Sequence, residues 1–205
     1  MVLKHSTMIL YSDPLNIASH RTRIVLAEKD ITANIIYVDN SNPSDDLLVI
    51  NPYQSLPTLV DRDLVLYNAN IITEYLDERF PHPPLLSVYP IIRAKCRLMI
   101  YRMERDCLSL VNIIQKSKKV EADEARKNLK DQLLDITSMF CETQYFLSDE
   151  FSLADCCLAP MLWRLKSLNI ELPKNSKSIQ EYMKRIFARD SFKESLSDLE
   201  KDLKN

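Results

Sequence analysis

The 205-residue chain contains no glycine at all. Loops of the Walker or dinucleotide type cradle phosphates with glycine backbone, so nucleotide-loop enzymes are excluded. Helices that close on a left-handed residue must then use Asn or Asp, and the pattern places these at Asp30, after Ala27-Glu28-Lys29, and at Asn169, after Leu168. No stretch approaches the ~20 apolar residues that span a bilayer, and the opening Met1-Val2-Leu3-Lys4-His5-Ser6 has no signal-peptide core, so a cytoplasmic location is expected. Cys96, Cys107, Cys141, Cys156 and Cys157 show neither Cys-x-x-Cys spacing nor a histidine at a metal-ligand interval. They read as reduced, mostly buried thiols with no metal site.

An excess of charge of either sign is also missing. The net charge of −2 and pI near 6.0 supply no field that would hold the chain on nucleic acid, and direct DNA binding is disfavoured. What is present, 46% hydrophobic and 27% charged residues, is the composition of a soluble globular protein long enough for two modest cores.

The first part of the chain alternates strand and helix. Thr7 to Ser12 is a β-prone run closed by Asp13-Pro14, and Ile17 to Lys29 follows with helical spacing. Ala33 to Val38 reads as a second strand, Asn42 to Ile50 as a short helix stopped by Asn51-Pro52, and Thr58–Asp61 with Leu64–Tyr67 as a tight hairpin. A helix over Asn70 to Phe80 completes a thioredoxin-like α/β layer. Pro81-His82-Pro83-Pro84 and Tyr89-Pro90 then break regular structure. Five helical stretches follow: Ile91 to about Ser117, Glu121 to about Glu142, Leu153 to Leu168, Ser178 to Phe187 and Ser191 to Leu203. The expected organisation is an α/β domain over 1–82, a linker over 83–90 and an all-helical domain over 91–205. Ser152 with Asp155 forms a capping-box pattern, with Phe151 before it as a staple; this is a folding signal. Lys116-Ser117-Lys118-Lys119 is followed at once by Glu121, Asp123 and Glu124 and reads as a solvated turn.

Four segments carry a family resemblance: Arg23 to Lys29, Asn51 to Asp61, Tyr75 to Leu85 and Phe146 to Asp155. On these the chain resembles the glutathione-transferase-like superfamily, and more narrowly the stringent starvation protein family of gammaproteobacteria, over essentially its whole length. The resemblance implies a cis Leu56-Pro57 bond, the bend that in a transferase presents backbone to the cysteinyl part of glutathione. A turn of that shape holding no ligand is the other reading.

A transferase stabilises its thiolate with Tyr, Ser or Cys at the start of the first helix. The matching positions here are Leu15, Asn16 and Ile17, with Ser12 at the strand end and Ser19 inside the helix. The acid and serine that clamp the γ-glutamyl group are replaced by Asn68 and Ala69. Losing two charge-assisted bonds of about 1.5 to 3 kcal/mol each removes orders of magnitude of affinity. Asn16, Leu56, Pro57, Asn68 and Ala69 are thus expected to be vestigial glutathione-site positions, with no catalytic residue and no cofactor. A redox variant would need a cysteine at the helix start, where there is none; Cys156 and Cys157 read as core, and His5 and His20 have no triad partner. A glutathione transferase or glutathione-binding redox enzyme is the alternative function.

The segment left as a site is Phe80, Pro81, His82, Pro83, Pro84 and Tyr89, an aromatic-flanked loop stiffened by proline. By itself it reads equally as a spacer or as a recognition surface. The resemblance favours recognition. It implies a homodimer formed through the helical domain, contacting RNA polymerase holoenzyme that carries the housekeeping sigma factor, with a role in stationary-phase, acid-stress or virulence gene expression. No sequence-specific DNA contact is expected.

Overall fold

The computed structural model describes residues 7–39, 45–137, 143–173 and 176–203. His5, Cys141, the expected helix start at Asn42 and the expected helix end at Glu142 lie outside them. The chain divides into two compact units, 1–84 with 190–203, and 85–189.

In the first unit the order is β1 (Ile9–Ser12), α1 (Ile17–Glu28), β2 (Asn34–Tyr37), α2 (Asp45–Ile50), β3 (Thr58–Asp61), β4 (Leu64–Tyr67) and α3 (Ala69–Arg79). The sheet runs β2-β1-β3-β4, with β1 and β2 parallel and the other pairs antiparallel. Register puts Ile35, Leu10, Leu59 and Leu66 in one cross-strand row, while Ile9, Tyr11 and Val60 face the opposite side and pack with Val38 and Leu47. One face thus meets α2, and the alternate residues form the other.

Among the described residues five that are not glycine take positive φ: Asp30, Gln54, Arg62, Asn68 and Asn169. Asp30 and Asn169 do so where expected. Ile31 N–H donates to Leu26 carbonyl at 2.9 Å and Asp30 N–H to Ala27 at 3.1 Å, the paired bonds that close a helix on a left-handed residue; Ile170 to Leu165 and Asn169 to Lys166 repeat them at 2.9 and 3.0 Å.

The second unit is helical: α4 (Pro90–Arg102), a π-helical stretch (Met103–Leu108), α5 (Ser109–Lys116), α6 (Lys119–Asp135), α7 (Leu153–Trp163) and α8 (Lys177–Ala188). The expected single helix from Ile91 is therefore interrupted. Ala94, Leu98 and Tyr101 on α4 are exposed, while Leu108, at the end of the wider i→i+5 turns, is half-buried. The capping box forms at α7: Asp155 accepts from Ser152 N–H and Oγ, Phe146 N–H and Tyr182 Oη, at 2.8 to 2.9 Å. Phe151 meets Tyr145 edge to face, with the Arg189 guanidinium over the Phe151 ring.

Two expectations need correction. Residues 191–203 are two helices, α9 (Asp190–Ser195) and α10 (Asp198–Asp202), because Ser197 and Glu200 form a second capping box that restarts the chain. Both belong to the first unit, where α9 packs along α1, and not to a helical domain over 91–205. Nor is 83–90 a free linker: Leu85 and Leu86 are buried in the second unit, and Leu85 carbonyl accepts from Leu153 N–H at 3.0 Å.

Candidate functional site

The start of α1 is where thiolate activation would occur, and its polar side chains are already engaged. Asn16 Oδ1 caps the helix, accepting from Ala18 N–H at 2.8 Å and Ser19 N–H at 3.1 Å. Ser19 Oγ accepts from Asp13 N–H at 3.1 Å, and Ser12 Oγ receives Arg23 Nη1 at 2.5 Å. Both serines are fully buried. Leu15 is exposed and Ile17 half-buried, and neither can stabilise a thiolate.

The bend ahead of β3 is intact. The Leu56-Pro57 bond is cis, Pro57 is buried, and Leu56 packs onto the Tyr11–Val38–Leu47 cluster. Its scaffold is Asn51, 0% exposed, whose amide donates to Ser55 carbonyl at 3.0 Å and to Thr58 Oγ1 at 2.8 Å while Oδ1 accepts from Tyr53 N–H at 2.9 Å. At the clamp position Asn68 takes φ 79° and caps α3 through Asn70 N–H at 2.9 Å, and Ala69 is buried. No carboxylate stands at either position to read an ammonium.

Buried thiols are equally unsuited to redox work. Desolvation, with Asp106 nearby, pushes the Cys107 thiol up to about 11. At pH 8 about one molecule in a thousand would carry the thiolate, against about one in ten for an unperturbed thiol. Iodoacetamide at that pH is expected to alkylate Cys107 at least about tenfold more slowly in the native protein than in urea, read by peptide mass spectrometry. Among the described residues no cluster of three or more His, Cys, Asp or Glu could hold a metal, and no helix is long and apolar enough to cross a membrane.

The proline loop is exposed yet held. Pro81, His82, Pro83 and Pro84 are all exposed, and the His82-Pro83 bond is also cis. Beneath them Lys29, which is buried, donates Nζ to Phe80 carbonyl at 2.6 Å and Pro83 carbonyl at 2.7 Å and pairs with Asp77 at 2.7 Å. Phe80 is half-buried under the Arg79 guanidinium, which reaches Asp61 at 2.9 Å. Sequence reading missed Lys29 as the anchor; a lysine closing the helix straight after the apolar Ile24-Val25-Leu26-Ala27 run and Glu28 was the available signal. Tyr89 belongs to the second unit, where it precedes α4 and is 67% exposed.

A Stringent starvation protein A homolog of Coxiella burnetii is 51% identical over 99% of this chain and 98% of its own length. A homolog of the same name from Haemophilus ducreyi is 49% identical over 94% of this chain and 91% of its own. The chain belongs to the stringent starvation protein A family. Models described as the N-terminal and C-terminal domains of glutathione S-transferase match residues 6–78 and 97–190 of this family member. The second match ends where α9 begins. Among solved structures, glutathione transferase Omega 3C from Trametes versicolor superposes with a TM-score of 0.83 at 23% identity, covering 96% of this chain and 87% of its own. A Tau class transferase from mango gives 0.84 at 20% identity, covering 97% and 96%. At such identity these two show the fold alone.

Proposed function

We propose that this stringent starvation protein A family member is a transcription regulator that acts by binding RNA polymerase holoenzyme carrying the housekeeping sigma factor. It does so in the cytoplasm, on stress, stationary-phase or virulence genes, and without transferase activity. The observation that carries the reading is the 80–84 loop, whose backbone is fastened by Lys29 while Pro81, His82, Pro83 and Pro84 are exposed to solvent. A preformed loop of that kind loses little entropy on meeting a protein partner, which suits recognition. Phe80 and Tyr89 would add aromatic contact area. The test is a pull-down from bacterial lysate with the tagged protein: polymerase subunits should co-purify, and their absence would refute the reading.

The transferase reading draws support from the fold and from the intact Leu56-Pro57 bend. Because Asn16 is spent as a cap and Asn68 and Ala69 offer no charge, we expect no conjugation of glutathione to aryl halides and no retention on immobilised glutathione. Turnover at ordinary transferase rates would overturn that expectation.

The homodimer is proposed to form through α4. Ile91, Leu98 and Tyr101 there are 73%, 58% and 56% exposed and share one side of the helix, an apolar face that a monomer would leave in water. Light scattering should report about twice the chain mass at micromolar concentration, and Leu98→Glu should yield the monomer.

A further inference from the structure

The second unit carries a cleft of about 540 Å³ that neither the loop nor the glutathione-site positions touch. Arg126, Lys127 and Lys130 of α6 form one wall, and Lys166, Asn169 and Glu171 line the turn beyond α7. The walls are fixed. Arg126 Nε donates to Leu168 carbonyl at 2.8 Å and Nη1 to Asp123 at 2.6 Å, and the left-handed closure at Asn169 holds the turn that presents Lys166.

Four cationic side chains and one carboxylate, Glu171, line the cleft, and Asp123 pairs with Arg126. In a chain whose net charge is −2, that surplus is local. An anion is the ligand class that the cleft fits. Its composition narrows the class further. No aromatic side chain lines it, so nothing would stack a nucleobase, and the Asn169 and Ile170 amides of its left-handed turn are spent on the Lys166 and Leu165 carbonyls rather than left to cradle a free nucleotide's phosphates. The one apolar lining residue, Ile170, is itself buried, so a peptide would find no hydrophobic anchor. What cationic side chains alone can read is a chain of phosphates at the surface.

We propose that this cleft binds the phosphodiester backbone of duplex DNA without reading its sequence. The net charge of −2, which disfavours DNA for the chain as a whole, averages over such local surplus. A site of three or four cations gives weak contact by itself, with dissociation constants of about 10⁻⁴ to 10⁻⁶ M, and gains strength only where another interaction holds the protein near DNA. The inference does not depend on the polymerase reading, because the probe is naked duplex.

The experiment is fluorescence anisotropy of a labelled random-sequence duplex across a salt series, with the parent protein and with a Lys127→Gln, Lys130→Gln, Lys166→Gln variant whose thermal midpoint is checked first. Arg126 is left in place because it supports the fold. The parent should bind with a slope of log K against log salt of about −3, and the variant should lose at least about tenfold in affinity with a much flatter slope. Absence of binding by the parent at low salt, or equal binding by the variant, would overturn the proposal. So would displacement of the duplex by polyglutamate as readily as by unlabelled DNA, which would make the cleft an acidic-peptide site, or by micromolar ATP, which would make it a nucleotide site.

Discussion

The His82→Ala, Pro84→Ala double variant is expected to lose polymerase binding and promoter-dependent regulation while its thermal midpoint stays within about 2 °C of the parent's. Both side chains are exposed, and neither caps a helix nor fills a core. The backbone hold on the loop comes from Lys29 through the carbonyls of Phe80 and Pro83, which the two substitutions leave in place. The variant therefore removes surface chemistry and stiffness without removing the support. Lys29→Met does the reverse: it keeps every loop side chain, frees the loop backbone and removes the cation 2.7 Å from the buried Asp77, so stability should fall together with binding. If the loop were a spacer, the double variant would regulate like the parent, and only Lys29→Met would matter. Co-purification with polymerase and transcription in vitro, after matching midpoints, separate the two.

Local chemistry made much of the fold readable. The β3–β4 hairpin is bounded as its alternation and the Arg62-Asp63 turn require, and Asp30 and Asn169 close helices because a chain without glycine must use such residues there. Periodicity says which face of an element is apolar and nothing about which element covers it. α1 shows the limit: from Ser19 to Leu26 every residue is buried, polar ones included, so no stripe marks a solvent side. The partners of its polar residues lie far along the chain, Glu200 being 177 positions from Arg23, and nothing local announces the pairing. At the candidate sites, residue type was legible and use was not. Asn16 and Asn68 could be recognised as replacing thiolate and clamp chemistry, while their service as helix caps depends on backbone geometry that residue type does not specify. The basic cleft was invisible for the same reason as the tail, since Lys166 comes 36 positions after Lys130, whereas the contiguous Lys116 to Lys119 run is only the turn between α5 and α6.

Glu200→Ala is expected to destabilise the first unit by about 3 to 5 kcal/mol, the usual cost of removing one partner from a buried ion pair. Glu200 is 0% exposed; it receives Arg23 Nη2 at 2.5 Å and Ser197 N–H at 2.9 Å, and His20 Nδ1 lies 3.4 Å away. Arg23 is itself buried and spends its other donors on Ser12 Oγ, Asp13 carbonyl and Ser195 carbonyl. Without the carboxylate the guanidinium keeps those neutral acceptors but not its counter-charge, and Ser197 loses the capping box that restarts the chain as α10. Glu200→Gln preserves an acceptor for both donors and removes only the charge, so it should cost less, about 1 to 3 kcal/mol. The decisive variant is Arg23→Met with Glu200→Met, which takes both charges out and returns apolar volume to the site. Replacing a buried pair whole is often close to neutral, so the double should be less damaging than Glu200→Ala, and the two methionine substitutions should fail to add by more than about 2 kcal/mol. Urea denaturation of Arg23→Met, Glu200→Met and the double against the parent reads this coupling directly. Strict additivity would mean that α9 and α10 are held to α1 by apolar packing alone, and that the ion pair, though buried, contributes nothing to keeping the tail in the first unit.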